Sequence, residues 1–471
     1  MRTFQFSDAR SHKFWSVEVR GADLVVTFGK IGTEGQTQTK TFPTPAKAEA
    51  EADKLVREKT KKGYVETTAA EAATDAERFE AALLANPDDL AGHCAFADYL
   101  AEQGDPRGEF MQVQIALEDE TLPPDERKKL QAREKALLKK HKAAWVGEWA
   151  DHRDIGLRTN EWSPPKGWVP YQFTRGLLTG VELGDLTVDV ARLVVKSPQL
   201  RFVRRLTVRG IAFQEEGEYD EGPDTEDSAG EEPSQHVLVR WPQLRHVREF
   251  RFGGSDPADY TTAYNPYGCH TPADLTPVFA KQMPDIEVLH LMAHLGEEVD
   301  QIVSLKMPRL RSLLLYHGWR YPLEKLARNA SLTNLEELFC HPHALEPGDT
   351  PYIRLSQLRA VCRSPHLSRL RHLQLRMADF GDEGITEVVS SGVLRRLQVL
   401  DIRHGLVTDA GARTLAACPD FKRMKHLDVR GNRLGKDGVA ALKATGVSVA
   451  TDAQQSPTAD RWETFGQGDI E

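Results

Sequence analysis

The stretch "FGKIGTEGQTQTKTF", Phe28 to Phe42, sets glycines at 29, 32 and 35, and closely spaced glycines can let backbone amides cradle a phosphate. Such a loop needs a strand before it and a helix N-terminus directly after it, because the helix supplies amide donors and a positive dipole end. Here Thr37, Thr39 and Thr41 alternate with Gln38 and Lys40, a period of two in β-branched residues that reads as a strand. No Gly-Lys-Ser/Thr follows, and the next helix starts at Pro45-Ala46. The context excludes a nucleotide loop.

Asp98, Glu102, Asp105, Arg107 and Glu109 could form an acid–base cluster, but no nucleophile or metal-ligand set accompanies them. Asp105 ahead of Pro106 reads instead as a helix cap, with Arg107 and Glu109 in the first turn. "FCHPHA" brings Cys340, His341 and His343 close, and Cys269-His270 forms a second pair. Cys340 falls at a core strand position, which leaves too few ligands for a closed zinc site. The expectation is no catalytic residue, no cofactor, no metal, no small-molecule substrate, and so no enzyme.

The formal charge of -9 belongs to one place: residues 215–232 carry ten Asp/Glu and no Lys or Arg. Such a segment, with almost no apolar groups, is expected to be disordered. The rest of the chain is close to neutral. Five sparse cysteines (94, 269, 340, 362, 418) suggest reduced thiols in a cytoplasmic protein. No apolar run approaches the ~18 residues of a membrane span, and "MRTFQFSDAR" has no apolar core of a signal peptide; no membrane association is expected.

The elements that position these residues fall into three blocks. In residues 1–66, "KFWSVEV" and "DLVVTFGKIG" are strands turning at Gly21-Ala22-Asp23, and "TQTKTF" continues the sheet. A helix from about Ala46 carries Ala48, Ala52, Leu55, Val56 and the stem of Lys59 on one face, and Gly63 ends it. In this order of strands, turn and closing "KTKKGY", the block resembles a WGR domain, named for a Trp-Gly-Arg motif and found in poly(ADP-ribose) polymerases and in bacterial proteins similar to the molybdate metabolism regulator. Phe28-Gly29-Lys30 stands at the motif, with both the Trp and the Arg replaced. The resemblance implies possible contacts from Phe28, Gly29, Lys30 and nearby Lys40 to nucleic acid or to a docked protein. Phe can still stack, while Lys offers a point charge in place of a two-pronged one. Twelve Lys/Arg against nine Asp/Glu over 1–66 is only weakly basic, which favours protein contact. "REKTKK", 57–62, reads as a solvated helix end.

A linker at 67–76 leads to a helical block, 77–150, with breaks at Asn86-Pro87-Asp88, Gly104 and Pro123-Pro124. Its core from Asp98 to Phe110 resembles a helical companion domain found beside repeat arrays in bacterial proteins. From about Phe173 a pattern of three apolar residues, Φ-x-x-Φ-x-Φ, recurs nine times. Its last members are Leu183, Val208, Phe252, Leu291, Leu315, Cys340, Leu375, Ile402 and Val429, and spacings of 24–27 dominate. Periods of 20–29 residues mark leucine-rich repeats. Prolines punctuate the return from helix to strand, and Gly384, Gly411 and Gly438 recur at 27 residues, resembling the ribonuclease-inhibitor-like subclass.

The predicted fold is therefore α/β overall: a WGR-like α+β domain (1–66), a short helical domain (77–150), and a repeat solenoid (151–450) with a curved parallel sheet and outer helices. An acidic disordered insert (214–233) interrupts the solenoid, and a polar tail (451–471) follows, with Trp462 and Phe465 placed to cap the last repeat. Strand alternation sets two outward rows on the concave face. One is Glu182, Thr207, Arg251, His290, Leu314, Phe339, Gln374, Asp401 and Asp428; the other is Gly184, Arg209, Gly253, Met292, Tyr316, His341, Arg376, Arg403 and Arg430. Met292, Leu314, Tyr316 and Phe339 are expected to form an apolar hot spot beside a flank of Arg251, His290, Arg376, Asp401, Arg403, Asp428 and Arg430. The Arg and Asp columns either bind a partner or neutralise one another; a sharper expectation is that the Arg column, or Arg209 and Arg251, receives the acidic insert and so blocks the face. The functional expectation is a cytoplasmic adaptor with a protein partner on the concave face, the alternative a nucleic-acid-associated regulator acting through the first domain.

Overall fold

The computed structural model describes residues 1–8, 11–30, 35–67, 74–147, 169–211, 234–253, 276–318, 320–342 and 353–459. The acidic insert, Cys269, His270, His343, Trp462 and Phe465 lie outside the described residues. The chain divides into two compact units, Met1–Lys140 and His141–Glu471.

The first unit opens with a five-stranded antiparallel sheet made of β1 (Arg2–Asp8), β2 (Ser11–Arg20), β3 (Asp23–Lys30), β4 (Gln36–Thr41) and β5 (Val65–Thr67), in the order β4-β3-β2-β1-β5. Helix α1 (Pro45–Lys61) packs Ala52 and Val56 onto Phe4, Trp15, Val17 and Leu24. Thr44 caps it by accepting the Lys47 amide, and Pro45 occupies its first turn, where a missing N–H costs nothing. Gly63 leaves the helix with φ +86, a conformation open to glycine. Gly35 is equally constrained: at φ +73, a Cβ there would sit 2.8 Å from the Phe28 carbonyl oxygen.

Four helices follow: α2 (Asp75–Ala85), α3 (Leu90–Glu102), α4 (Pro106–Leu117) and α5 (Pro124–Val146). A reciprocal box of Thr74 and Glu77 starts α2. Helices α3 and α4 cross closely because Gly108 has no side chain; a Cβ would lie 2.6 Å from the Ala97 carbonyl oxygen. The carboxylates considered above as an acid–base cluster are engaged separately. Asp105 caps α4 and holds Arg107, Asp98 accepts from Gln112, and Glu109 pairs with Arg133.

The second unit is built on one eleven-stranded sheet, β6 (Tyr171–Thr174), β7 (Leu177–Leu186), β8 (Arg205–Ile211), β9 (Glu249–Phe252), β10 (Val288–Leu295), β11 (Ser312–Gly318), β12 (Glu337–Pro342), β13 (His372–Leu375), β14 (Val399–Asp401), β15 (His426–Asp428) and β16 (Ser448–Ala450). Strands β7 to β16 are all parallel. The predicted strands are β7 to β15; β6 and β16 extend the sheet at either end. Strand β6 returns antiparallel to β7 through Arg175 and Gly176, both at positive φ, as a two-residue hairpin demands. The Leu-rich positions form a continuous buried core beneath the sheet, backed by helices such as Leu355–Arg363, Gly381–Ser390, Asp409–Ala417 and Lys436–Lys443.

Two side-chain ladders lace the last repeats together. Asn432, fully buried, donates to the Ile402 and Val429 carbonyls and accepts the Val407 amide. Asp382 accepts the amides of Thr408 and Gly411 on one oxygen, and Asp409, 27 residues on, accepts those of Gly435 and Gly438. Each aspartate thus caps the helix of the following repeat. The glycines spaced by 27 residues follow from it: a Cβ on Gly411 would lie 2.4 Å from Asp382, and one on Gly438 2.2 Å from Asp409.

Candidate functional site

On the concave face, the strand pairs put the first outward row side by side without a break. Glu182 pairs with Thr207, then Arg251, His290, Leu314, Phe339, Gln374, Asp401 and Asp428 follow in register. In the second row, Met292, Tyr316 and His341 pair likewise. The register is as expected, but the exposure is not. His290, Met292, Leu314, Phe339, Arg376, Asp401 and Asp428 are all buried. Neighbours at ~4.8 Å across a parallel sheet cover one another when their side chains are long. The open apolar hot spot is thereby corrected: of the concave residues singled out, Arg251, Tyr316, Arg403 and Arg430 keep partial exposure.

What fills the face is a polar chain. Arg251 Nη1 lies 3.0 Å from His290 Nδ1, and His290 Nε2 lies 2.9 Å from Ser312 Oγ. A serine beside a histidine could be a nucleophile and its base, but an arginine can only donate. Nδ1 must therefore accept, and Nε2 carries the proton toward serine. Burial, with Arg251 beside it, lowers the His290 pKa to about 3, so the ring is neutral and turned the wrong way to take the Ser312 proton. The pair is a structural bridge. Arg376 repeats the arrangement on His341 at 3.2 Å, and the His341 ring meets Tyr316 edge-on at 4.3 Å.

Beyond it the charges alternate. Arg376 lies 3.2 Å from Asp401, Arg403 bridges Asp401 at 2.7 Å and Asp428 at 3.1 Å, and Arg430 holds Asp428 at 2.7 Å. Gln374 fits between Arg376 and Asp401, its amide nitrogen donating to Asp401 and its oxygen accepting from Arg376. Burial pushes Asp401 up to about 6, against the pull of Arg376 and Arg430 and with a further push from Asp428. These arginines are committed, as is Arg209, which pairs with Glu182. The ladder neutralises itself, and it holds Arg403 and Arg430 in fixed positions at the rim.

The first unit presents a different surface. Strand pairing sets Phe28 opposite Trp15 and Lys30 opposite Lys13. Phe28 is half-buried and packs against the core that holds Trp15 and Leu24, so the ring that the resemblance offers for stacking is already engaged by the domain's own core. Lys30 is exposed. Lys40 pairs with Leu24 at the far end of the β3–β4 ladder and sits 4.9 Å over Phe42, so it does not join Lys30. Lys13, Lys59 and Lys62 do gather there. Lys59 spans the Trp15 and Tyr64 rings at 5.5 and 4.9 Å, and its pKa is lowered by burial and by Lys62 and Lys13. Like charges facing across strands oppose folding unless something else requires them. Lys13 was legible only once register was known, and Lys59 and Lys62 lay within the run read as a solvated helix end.

Comparison with known proteins matches part of each unit. The WGR domain family matches residues 1–71, and the leucine-rich repeat family matches 366–389 and 424–443. The chain carries an N-terminal WGR domain and leucine-rich repeats in its C-terminal half. Protein YehF of Escherichia coli (strain K12) is 50% identical over 66 residues, 14% of this chain and 24% of its own length. The uncharacterized protein YfeS of the same strain is 42% identical over 65 residues, 14% of this chain and 27% of its own. This chain thus spans about a quarter of the length of the curated relatives it matches. Among solved structures, a Bacteroides fragilis protein aligns over 98% of this chain and 99% of its own at 20% identity and a TM-score of 0.39. An internalin of Listeria monocytogenes aligns over 58% and 72% at 14% identity and a TM-score of 0.31. Among the described residues no group of His, Cys, Asp and Glu could hold a metal ion, and no helix is long and apolar enough to cross a membrane. A WGR domain joined to leucine-rich repeats suggests a protein-interaction or nucleic-acid-associated role.

Proposed function

We propose that this protein is a non-enzymatic, cytoplasmic adaptor that binds a protein partner across the concave face of its repeats, with the WGR domain as a second docking module. The observation that carries the reading is the saturated ladder from Arg376 to Arg430. It fixes the partly exposed Arg403 and Arg430 on the same face that carries Tyr316, itself held edge-on by His341, and pre-ordered arginine and tyrosine side chains lose little entropy when a partner docks. Free cysteines at 94, 340, 362 and 418 accord with a reducing compartment. Affinity capture with the full chain tests it, using Tyr316→Ala and Arg403→Ala as controls. A partner retained by the native face and lost from both variants supports the adaptor; retention by both variants moves the interaction elsewhere and defeats the concave-face reading.

A second reading rests on the lysine corner of Lys13, Lys30, Lys59 and Lys62. Four cations on one corner suit a phosphate backbone, so the WGR domain would contact nucleic acid while the repeats recruit a partner. Salt-dependent binding of an end-labelled duplex, lost with Lys13→Gln/Lys62→Gln, is the expected result; duplex affinity unaltered by that variant would sink it.

A further inference from the structure

A second basic surface lies on the repeat array, apart from the concave face. Residues just before β13, β14 and β15 line up through the backbone: the Gln398 amide donates to the Arg371 carbonyl at 2.7 Å, and the Lys425 amide to the Gln398 carbonyl at 2.8 Å. The repeat period stacks further cations beside them. Arg369, Arg396 and Arg423 recur every 27 residues, and so do Arg395 and Lys422. All of these except half-buried Arg396 are exposed.

The earlier repeats handle the same flank differently. There Arg248 pairs with Glu287 and Arg311 with Glu336, so cation and anion alternate and cancel. In the last three repeats the one carboxylate on the flank, among the described residues, is Asp420, shared by Arg395 at 3.3 Å and Arg423 at 3.8 Å. Both arginine side chains stay 76% exposed. Arg371, Lys422 and Lys425 have no ion-pair partner among the described residues. The strip therefore carries an excess of positive charge in three columns; in the first, neutral Gln398 sets Arg371 and Lys425 two steps apart, each step ~4.8 Å in a parallel sheet.

From this the geometry points to a docking surface for the phosphate backbone of a DNA duplex, separate from the WGR domain. A protein partner ordinarily needs an apolar or aromatic anchor, and among the described residues the large apolar side chains that stand exposed, Met1, Val65, Leu90 and Val169, all lie elsewhere. Single strands are held by stacking on aromatic rings, and none is exposed on the strip. A duplex needs only cations at fixed spacing, and gives up counterions when they meet its phosphates. Columns set by backbone hydrogen bonds supply that spacing without any ordering of the chain. Each guanidinium can reach two phosphate oxygens, and each ammonium adds a point charge.

The test uses the full chain and a blunt, labelled DNA duplex titrated between about 50 and 200 mM salt. The variant Arg371→Gln/Lys422→Gln/Lys425→Gln alters exposed side chains alone. Its affinity at low salt should fall about tenfold or more, and the slope of log affinity against log salt should shrink by about 2 to 3, close to 0.9 per lost phosphate contact. Asp420→Asn should do the reverse, because it frees Arg395 and Arg423, and binding should tighten. Unchanged affinity and slope in the triple variant would overturn the proposal. So would tighter binding of an oligoglutamate peptide, of an RNA duplex or of a single strand than of the DNA duplex. Lys13→Gln/Lys62→Gln runs in parallel: if that change alone removes binding, the strip is refuted while the WGR reading stands, and if the strip variant alone removes it, the converse holds.

Discussion

The Gln454 side chain donates from Nε2 to the Val429 carbonyl at 2.8 Å and accepts the Leu434 amide on Oε1 at 3.0 Å. Val429 and Leu434 stand 27 residues beyond Ile402 and Val407, the two positions that Asn432 serves in the same way. Gln454 is only 22 residues beyond Asn432, and a side chain longer by one methylene reaches the place from outside the period. The last repeat is closed as though another followed it. Neighbouring residues assist: Gln455 N donates to the Asn432 carbonyl, and the Arg433 guanidinium to that of Ala459.

Replacing Gln454 by alanine should fray this end without unfolding the array. The expected cost is about 1 to 2 kcal/mol for two backbone partners left to water. Hydrogen exchange at Leu434 should speed up accordingly. Asn432→Ala should cost more, about 3 kcal/mol, because its partners are buried. Unaltered exchange at Leu434 in the Gln454 variant would remove this residue from the ladder.

Gly438→Ala should destabilise the array by about 2 kcal/mol, since the new methyl meets the Asp409 carboxylate and must displace a helix cap. Removing the carboxylate first changes the outcome. The double variant with Asp409→Ala should be less damaged than the sum of its parts by about 1 kcal/mol. Chemical denaturation of the four proteins measures that coupling; strict additivity would mean that the glycine answers to something other than the aspartate.

Asp401→Asn leaves Arg376 buried with its charge uncompensated, and the expected loss is about 3 kcal/mol. Replacing Arg376 as well, by methionine, with Asp401→Leu should recover most of it, because an apolar pair avoids the desolvation of both charges. A double variant no more stable than Asp401→Asn would show that the pair stabilises beyond its own neutralisation.

Acid should weaken the array before its carboxylates are exhausted. Burial lowers His290 to about 3 and His372 to about 4, well under the ordinary histidine value. Both are neutral when folded and take up protons when unfolded, so their contribution is complete above about 6.5 and is lost as pH falls toward 4 and 3. Asp401, raised to about 6, acts in the opposite sense over that window, holding its proton more tightly when folded. Two groups against one leaves a net loss on acidification. Denaturation midpoints at pH 7 and pH 5 should differ in that direction, and His372→Phe should narrow the gap; a midpoint that rises at pH 5 contradicts the assignment.

Phe28→Ala should lower the stability of the first unit by about 2 kcal/mol, because the ring packs onto Trp15 and Leu24. Thermal unfolding of the unit reads this directly. A stable variant that loses ligand would restore the ring to a contact role.

Much of the array was legible in its residues. The alternation Φ-x-Φ set Glu182 through Asp428 on one face, and the strands pair them in that order, because a one-residue slip would turn every leucine outward. Gly411 and Gly438 could be seen to recur, but their reason is a carboxylate one repeat back, which a local pattern does not carry. Burial of Phe339 and Arg376 follows from lateral crowding between strands far apart in sequence. Gln454 escaped because it obeys geometry and not period. In the first unit, Lys13 meets Lys30 only through the antiparallel register, so the basic corner emerges from pairing and not from any run of charges.

The two ladders run in opposite senses along the chain: Asp382 and Asp409 reach forward to amides of the next helix, while Asn432 reaches back to Ile402 and Val407. The repeat that begins at Val399 is therefore stitched to both neighbours by bonds that assume a 27-residue step, taking Asp382 from one side and meeting Asn432 and giving Asp409 on the other. Such an array can be lengthened or shortened in whole modules, with donor and acceptor meeting again at each new seam. A deletion of one residue more or fewer would strand both threads at once, which gives the solenoid a natural unit of growth and a built-in resistance to partial ones.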